Sequence, residues 1–152
     1  MSDSRFTIDT NILVHAFQID DVAKHERAAG LVSRAAERNL NCVLTLQALA
    51  EFYRVAAMKK AMTLDKAEEH VRDLRALFPI VAADADALER AMWAVRAHSL
   101  SFWDAMMWAT AHQADCAFLL SEDFAHGRTL LGVTFWNPLL TEPMPEALSA
   151  LA

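Results

Sequence analysis

Short apolar runs alternate along this chain with longer segments of helical period, and that alternation restricts the fold more than any other feature. Phe6-Thr7-Ile8, Cys42-Val43-Leu44, Ile80-Val81, Phe118-Leu119-Leu120 and Val133-Thr134-Phe135 read as strands. Ile12 to Phe17 and Val22 to Arg38 read as helices, the second with Ala28, Leu31, Val32 and Ala35 at helical spacing before a stop at Asn39 to Asn41. Thr45 is placed to cap a helix carrying Leu46, Leu49, Ala50, Tyr53 and Ala57. Thr63 or Asp65 opens another, which runs to Leu77 and is ended by Pro79. Asp84 caps a helix with Leu88, Ala91, Met92 and Val95, and Ser101 caps the next, through Gln113. Strands that alternate with helices imply a parallel sheet covered on both faces. Uninterrupted apolar strands fit that burial. The expected class is α/β, helix-rich, with a short and mostly parallel central sheet.

The 152 residues suit a single domain, 1–152, and 55% hydrophobic content supports a true core. Pro138, Pro143 and Pro145 mark an extended C-terminal tail from about residue 138. No apolar run approaches the ~18 residues that span a bilayer, so no membrane association is expected. The start Met1-Ser2-Asp3-Ser4-Arg5 lacks the pattern of a signal peptide. Cys42 and Cys116 sit in apolar runs and read as buried free thiols, which together with that start points to a cytoplasmic location. A net charge of -6 argues against a protein that coats nucleic acid by bulk electrostatics, though not against a nuclease with a local basic rim.

Four acids stand at element boundaries. Asp9 follows the first strand in Ile8-Asp9-Thr10-Asn11, at the sheet edge where open α/β folds bind ligands. Its bland reading is a helix N-cap. Glu51 lies between Ala50 and Phe52 in an apolar helix, where the plain alternative is a surface pair with Arg54. Asp104 is the third helical residue after Ser101, which suits a capping box as well as a ligand. Asp123 follows the fourth strand in Ser121-Glu122-Asp123 and reads equally as a turn residue. If the four meet, two carboxylates about 4 Å apart repel by roughly 4 kcal/mol at an effective dielectric near 20. A hard divalent cation, Mg²⁺ or Mn²⁺, removes that cost.

At these residues the chain resembles the PIN-domain ribonucleases, and within them the VapC-type toxins of toxin–antitoxin pairs. The likeness rests on Phe6-Thr7-Ile8-Asp9-Thr10-Asn11-Ile12-Leu13, on Leu49-Ala50-Glu51-Phe52, on Ser101-Phe102-Trp103-Asp104-Ala105, on Leu119-Leu120-Ser121-Glu122-Asp123-Phe124, and on the close Gly132 to Pro138. It implies a three-layer α/β/α sandwich and a Mg²⁺- or Mn²⁺-dependent endoribonuclease. It also implies a cognate antitoxin and a homodimer. Carried over by position, Asp9, Glu51, Asp104 and Asp123 become catalytic metal ligands, and Asn11 and Ser121 become their supports. Ser121 stands where the family commonly has Thr, a change that keeps the hydroxyl. The expected reaction is hydrolysis of an RNA phosphodiester by in-line attack of water, with Glu51 or Asp123 as the alternative bases.

Arg54, Lys59 and Lys60 are candidates for a rim that holds RNA phosphates. Trp103 and Phe124 are expected in the core, with base stacking as the alternative role. The helices around Val22 to Val32 and Leu46 to Met58 are candidates for an antitoxin groove. The six histidines show no zinc spacing. A haloacid-dehalogenase-like phosphatase would need an acid two residues after Asp9, where Asn11 stands. A receiver domain would need paired acids and a later lysine that the chain lacks. A PIN-like scaffold without catalysis would not need all four acids.

Overall fold

A computed structural model of the chain describes residues 4–58 and 62–152. Six strands form one sheet: β1 (Phe6–Ile8), β2 (Cys42–Thr45), β3 (Ile80–Val81), β4 (Phe118–Leu120), β5 (Thr129–Leu130) and β6 (Val133–Trp136). Their order is β3-β2-β1-β4-β6-β5. All pairings are parallel except β5 with β6, which is antiparallel. The helices are α1 (Thr10–Phe17), α2 (Val22–Glu37), α3 (Leu46–Met58), α4 (Leu64–Leu77), α5 (Ala85–His98) and α6 (Phe102–Gln113). None of them is long and apolar enough to cross a membrane.

The order fixes where the helices lie. From β1 the chain steps outward to β2 and then β3, and right-handed crossovers put α1 to α4 on one face. From β3 it returns past β1 to β4, a step of opposite sense that puts α5 and α6 on the other. The packing agrees: α1 touches α2 and α3, α3 touches α4, and α5 pairs with α6, which lies on β2, β4 and β6. The result is the three-layer arrangement. Ile8, Leu44, Leu119 and Leu120 of the sheet are fully buried between Phe52 of α3 and Trp108 of α6. The Trp108 indole Nε1 donates to the Leu130 carbonyl at 3.1 Å, so this buried ring keeps its polar atom satisfied and pins β5. Cys42 and Cys116 are buried free thiols, and burial pushes Cys116 up to about 12, so both stay neutral.

Local chemistry explains the boundaries. Thr45 Oγ1 accepts from the Ala48 N–H at 3.0 Å and opens α3. Thr63, rather than Asp65, caps α4 by accepting from Lys66 N, and Asp84 caps α5 by accepting from Ala87 N. Ser99 ends α5 in the left-handed region, φ 56°. Two features differ from the sequence expectation. β5 is an added strand; two residues, one of them exposed, carry no readable period. The tail expected to stay extended from about 138 closes as a 3-10 helix, Glu146–Leu151, because Leu148 and Leu151 bury against α2. Two arginines of α2 and its C-cap Arg38 then hold tail carbonyls: Arg27 those of Leu139 and Leu140, Arg34 that of Leu151, and Arg38 that of Ala150.

Candidate active site

Strand order reverses between β1 and β4, the position where parallel sheets open a crevice at their carboxyl ends. Asp9 leaves β1 there, and Ser121 to Asp123 leave β4 beside it. The Asp9 N–H donates to the Leu120 carbonyl at 2.8 Å, which locks the two strand ends together. Asp9 is only 7% exposed. Its Oδ1 accepts from the Thr10 N–H at 2.7 Å and so caps α1. Its Oδ2 accepts from Ser121 Oγ, also at 2.7 Å. The capping role and the ligand role are therefore compatible, since each oxygen keeps a lone pair free.

Ser121 is the hub of this arrangement. Its one proton goes to Asp9, and its oxygen accepts from Asn11 Nδ2 at 3.2 Å and from the Asp123 N–H at 3.1 Å. Every bond a hydroxyl can make is used. The amide of Asn11 therefore holds Ser121, while its Oδ1 faces the Glu122 N–H at 3.5 Å. Glu122 turns the other way. His15 Nε2 lies 2.8 Å and Lys24 Nζ 2.9 Å from its carboxylate. Burial opposes its charge, yet those two partners hold the group below the usual carboxylate range. In the adjacent pair Glu122-Asp123, one acid is neutralised by α1 and α2 and the other is left exposed at the crevice.

Glu51 reaches the crevice from α3. Its Oε2 lies 3.4 Å from Thr10 Oγ1, and its Oε1 accepts from Gln47 Nε2 at 3.2 Å. The surface pair with Arg54 does not form. Asp104 stands in the first turn of α6, where the helix end favours a negative group. The Ser101 side chain makes no capping bond, so the capping-box reading of Asp104 fails. Burial, joined by the charges of Asp104 and Asp123, pushes Asp9 up to about 6 against the pull of its bonds from Ser121 and Thr10. Those two acids thus act directly on Asp9, and Thr10 joins Glu51 to the same place. Gln47 is the support that sequence reasoning passed over; it lies four residues before Glu51, the helical spacing for a contact.

The donor set suits a hard cation: carboxylate oxygens, no thiol, no imidazole. Among the described residues no three His, Cys, Asp or Glu side chains are near enough to enclose an ion by themselves. An octahedral ion that keeps most of its waters needs only one or two carboxylates directly, and a crevice with an exposed Asp123 leaves room for that water. A buried Asp9 without a cationic partner is the polar group most in need of it.

Beside the acids lies a groove of about 630 Å³ between α3, α6 and the end of β3, lined by Leu46, Ala50, Glu51, Arg54, Trp103 and Met106 among others. Arg54 is exposed on its wall and has no ion pair among the described residues. Lys59 and Lys60, the other expected rim cations, lie outside the described residues. Phe124 is in the core as expected, stacked on Phe135 with centroids 4.4 Å apart. Trp103 is not: it is 62% exposed, because its place one residue before Asp104 turns it out of the sheet packing. Of the two helices expected to offer an antitoxin groove, most apolar side chains are core, and Val22, Leu46 and Met58 remain exposed.

The family model for the PIN domain matches residues 6–129. No curated protein matches the chain by sequence. Among solved structures, VapC20 of Mycobacterium tuberculosis, a sarcin-ricin loop cleaving toxin, is similar at TM-score 0.59 and 19% identity, over 75% of this chain and 86% of that one. A chain of a toxin–antitoxin complex from Klebsiella pneumoniae is similar at 0.61 and 22%, over 87% and 96%. A chain of VapBC2 from Rickettsia felis, bound to a DNA fragment from their promoter, is similar at 0.62 and 12%, over 88% and 99%.

Proposed function

This chain belongs to the PIN domain family, and from that membership we propose that it is the toxin of a VapC-type toxin–antitoxin pair, an endoribonuclease dependent on Mg²⁺ or Mn²⁺. The observation that carries the reading is the hydrogen-bond chain at the strand-order reversal: Ser121 links Asp9 to Asp123, Thr10 links Asp9 to Glu51, and Gln47 links Glu51 to Trp103, the neighbour of Asp104. The likeness to VapC20 and to chains of two toxin–antitoxin complexes supports it.

Asp9, Glu51, Asp104 and Asp123 would hold the cation. When bound, it supplies positive charge that offsets their repulsion and polarises a phosphoryl oxygen. The chain's own residues do the rest. Ser121 and Asn11 fix the Asp9 carboxylate, and Gln47 and Thr10 fix that of Glu51. Asp123, exposed, and Glu51, half-buried, are the acids placed to take a proton from the attacking water. The protein acts in the cytoplasm on RNA, and its partners are a cognate antitoxin and a second copy. An exposed apolar stripe on α5, Leu88, Met92 and Val95, gives such a protein partner a face distinct from the crevice.

Incubation of the purified protein with total RNA tests the reading. Cleavage with Mg²⁺ or Mn²⁺, its loss in EDTA and its absence in a folded Asp9→Asn protein are expected. Cleavage that persists in EDTA, in both Asp9→Asn and Asp104→Asn proteins, overturns it.

A further inference from the structure

We propose that the groove beside Glu51 is a nucleobase subsite, in which an unpaired base of the RNA stacks on Trp103 while Arg54 holds a neighbouring phosphate. The inference rests on the ribonuclease reading and deepens it.

Three observations point to this occupant. The first is continuity. Glu51 is both one of the four acids and a wall of the groove, and Trp103 precedes Asp104 in the first turn of α6. A strand whose scissile phosphate sits at the acids therefore has its next base over the groove. The second is the lining. Leu46, Ala50 and Met106 offer an apolar floor, and Trp103 an exposed indole face. A base presents a π-face that such a wall binds without regard to sequence. Trp103 meets Phe102 edge-on, centroids 4.8 Å apart at 71°, so the ring is braced while most of its surface stays open. The third is charge. Arg54 is a cation on the groove wall with no anionic partner among the described residues, in a chain of net charge -6. It is matched to the phosphates of a polyanion. The groove also holds a polar reader. Gln47 spends its Nε2 on Glu51 and on the Trp103 carbonyl, 3.2 and 3.0 Å away, which leaves its Oε1 to accept from a base amino group.

Binding is measured by fluorescence anisotropy with a short fluorescein-labelled single-stranded RNA of mixed sequence. The Asp9→Asn protein serves as the non-cleaving parent. Adding Trp103→Ala is expected to weaken binding about tenfold, and Trp103→Phe to restore most of it. Adding Arg54→Gln is expected to flatten the dependence of log affinity on log salt by about one contact's worth, a change that Trp103→Ala does not make. The fully paired duplex of the same RNA should show no loss with Trp103→Ala. Equal affinity for the parent and the Trp103→Ala protein overturns the subsite. So does a shift of Trp103→Ala to smaller particles in analytical ultracentrifugation, which assigns the groove to a protein contact. If the Trp103→Ala change in the Asp9-intact protein leaves rate and cut positions as before, the subsite falls and the ribonuclease reading stands. If the Asp9-intact protein itself cleaves no RNA with Mg²⁺ or Mn²⁺, both fall.

Discussion

Asp9 carries two duties that compete for stability. As a cap it belongs in the interior; as a charge it is penalised there. Its folded value of about 6 lies above the ordinary 3.8. The sign follows: a raised carboxyl costs nothing below pH 4, where it is protonated in both states, and the penalty grows until pH passes about 6. Asp9→Asn avoids that penalty at every pH. In metal-free buffer at pH 7.5 it should be more stable than the unmodified protein by up to about 2–3 kcal/mol, melting higher, and the gap should close near pH 4. Thermal melts followed by circular dichroism across that range check it, and Mg²⁺ should raise the melting temperature of the parent alone. Ser121 makes the opposite prediction. Ser121→Ala strands the Asn11 amide, the Asp123 N–H and one Asp9 oxygen, so it should cost about 1–3 kcal/mol. It should also lower cleavage about 10–100-fold, the usual effect of removing a support behind a metal ligand. Ser121→Thr, which keeps the hydroxyl, should retain most activity in the same RNA assay.

Elements were legible in the sequence where a cap or a breaker stood beside a periodic run. Thr45, Asp84, the Asn39 to Asn41 stop and Pro79 each mark a true boundary within a residue or two. The candidate acids stand out for the same reason: Asp9 and Asp123 follow strands and Asp104 opens a helix, and parallel strands bring their carboxyl ends to one edge of a sheet. Less legible was whatever depends on which face a side chain finds. Trp103 and Phe124 look alike as aromatics beside an acid, yet one is in solvent and the other in the core. Glu122 and Asp123 are neighbours of equal charge, and only the approach of His15 from α1 and Lys24 from α2 separates them. Capping predicts its own magnitude. Asp84→Ala removes the bond to the Ala87 N–H and should cost about 1 kcal/mol by urea unfolding. Because α5 contributes none of the four acids, RNA cleavage should be unchanged.

Across the whole molecule, α2 is covered by a segment far from it in sequence. Leu148 and Leu151 are buried there, and Arg27, Arg34 and Arg38 bind carbonyls of the same tail. The pattern of the tail gave no hint of this, since three prolines suggest only extension and the closing 3-10 turn depends on the leucines finding α2. Leu151→Ala should therefore behave as a core truncation, costing about 2–4 kcal/mol in urea unfolding, although it lies beyond every predicted element. The two outermost strands have a different consequence. β3 and β5 contribute two residues each, and β5 runs against its neighbour. Neither leaves a row of open amides long enough to recruit a foreign strand. Self-association by strand addition is accordingly disfavoured, as is amyloid-like stacking, by the geometry of these margins.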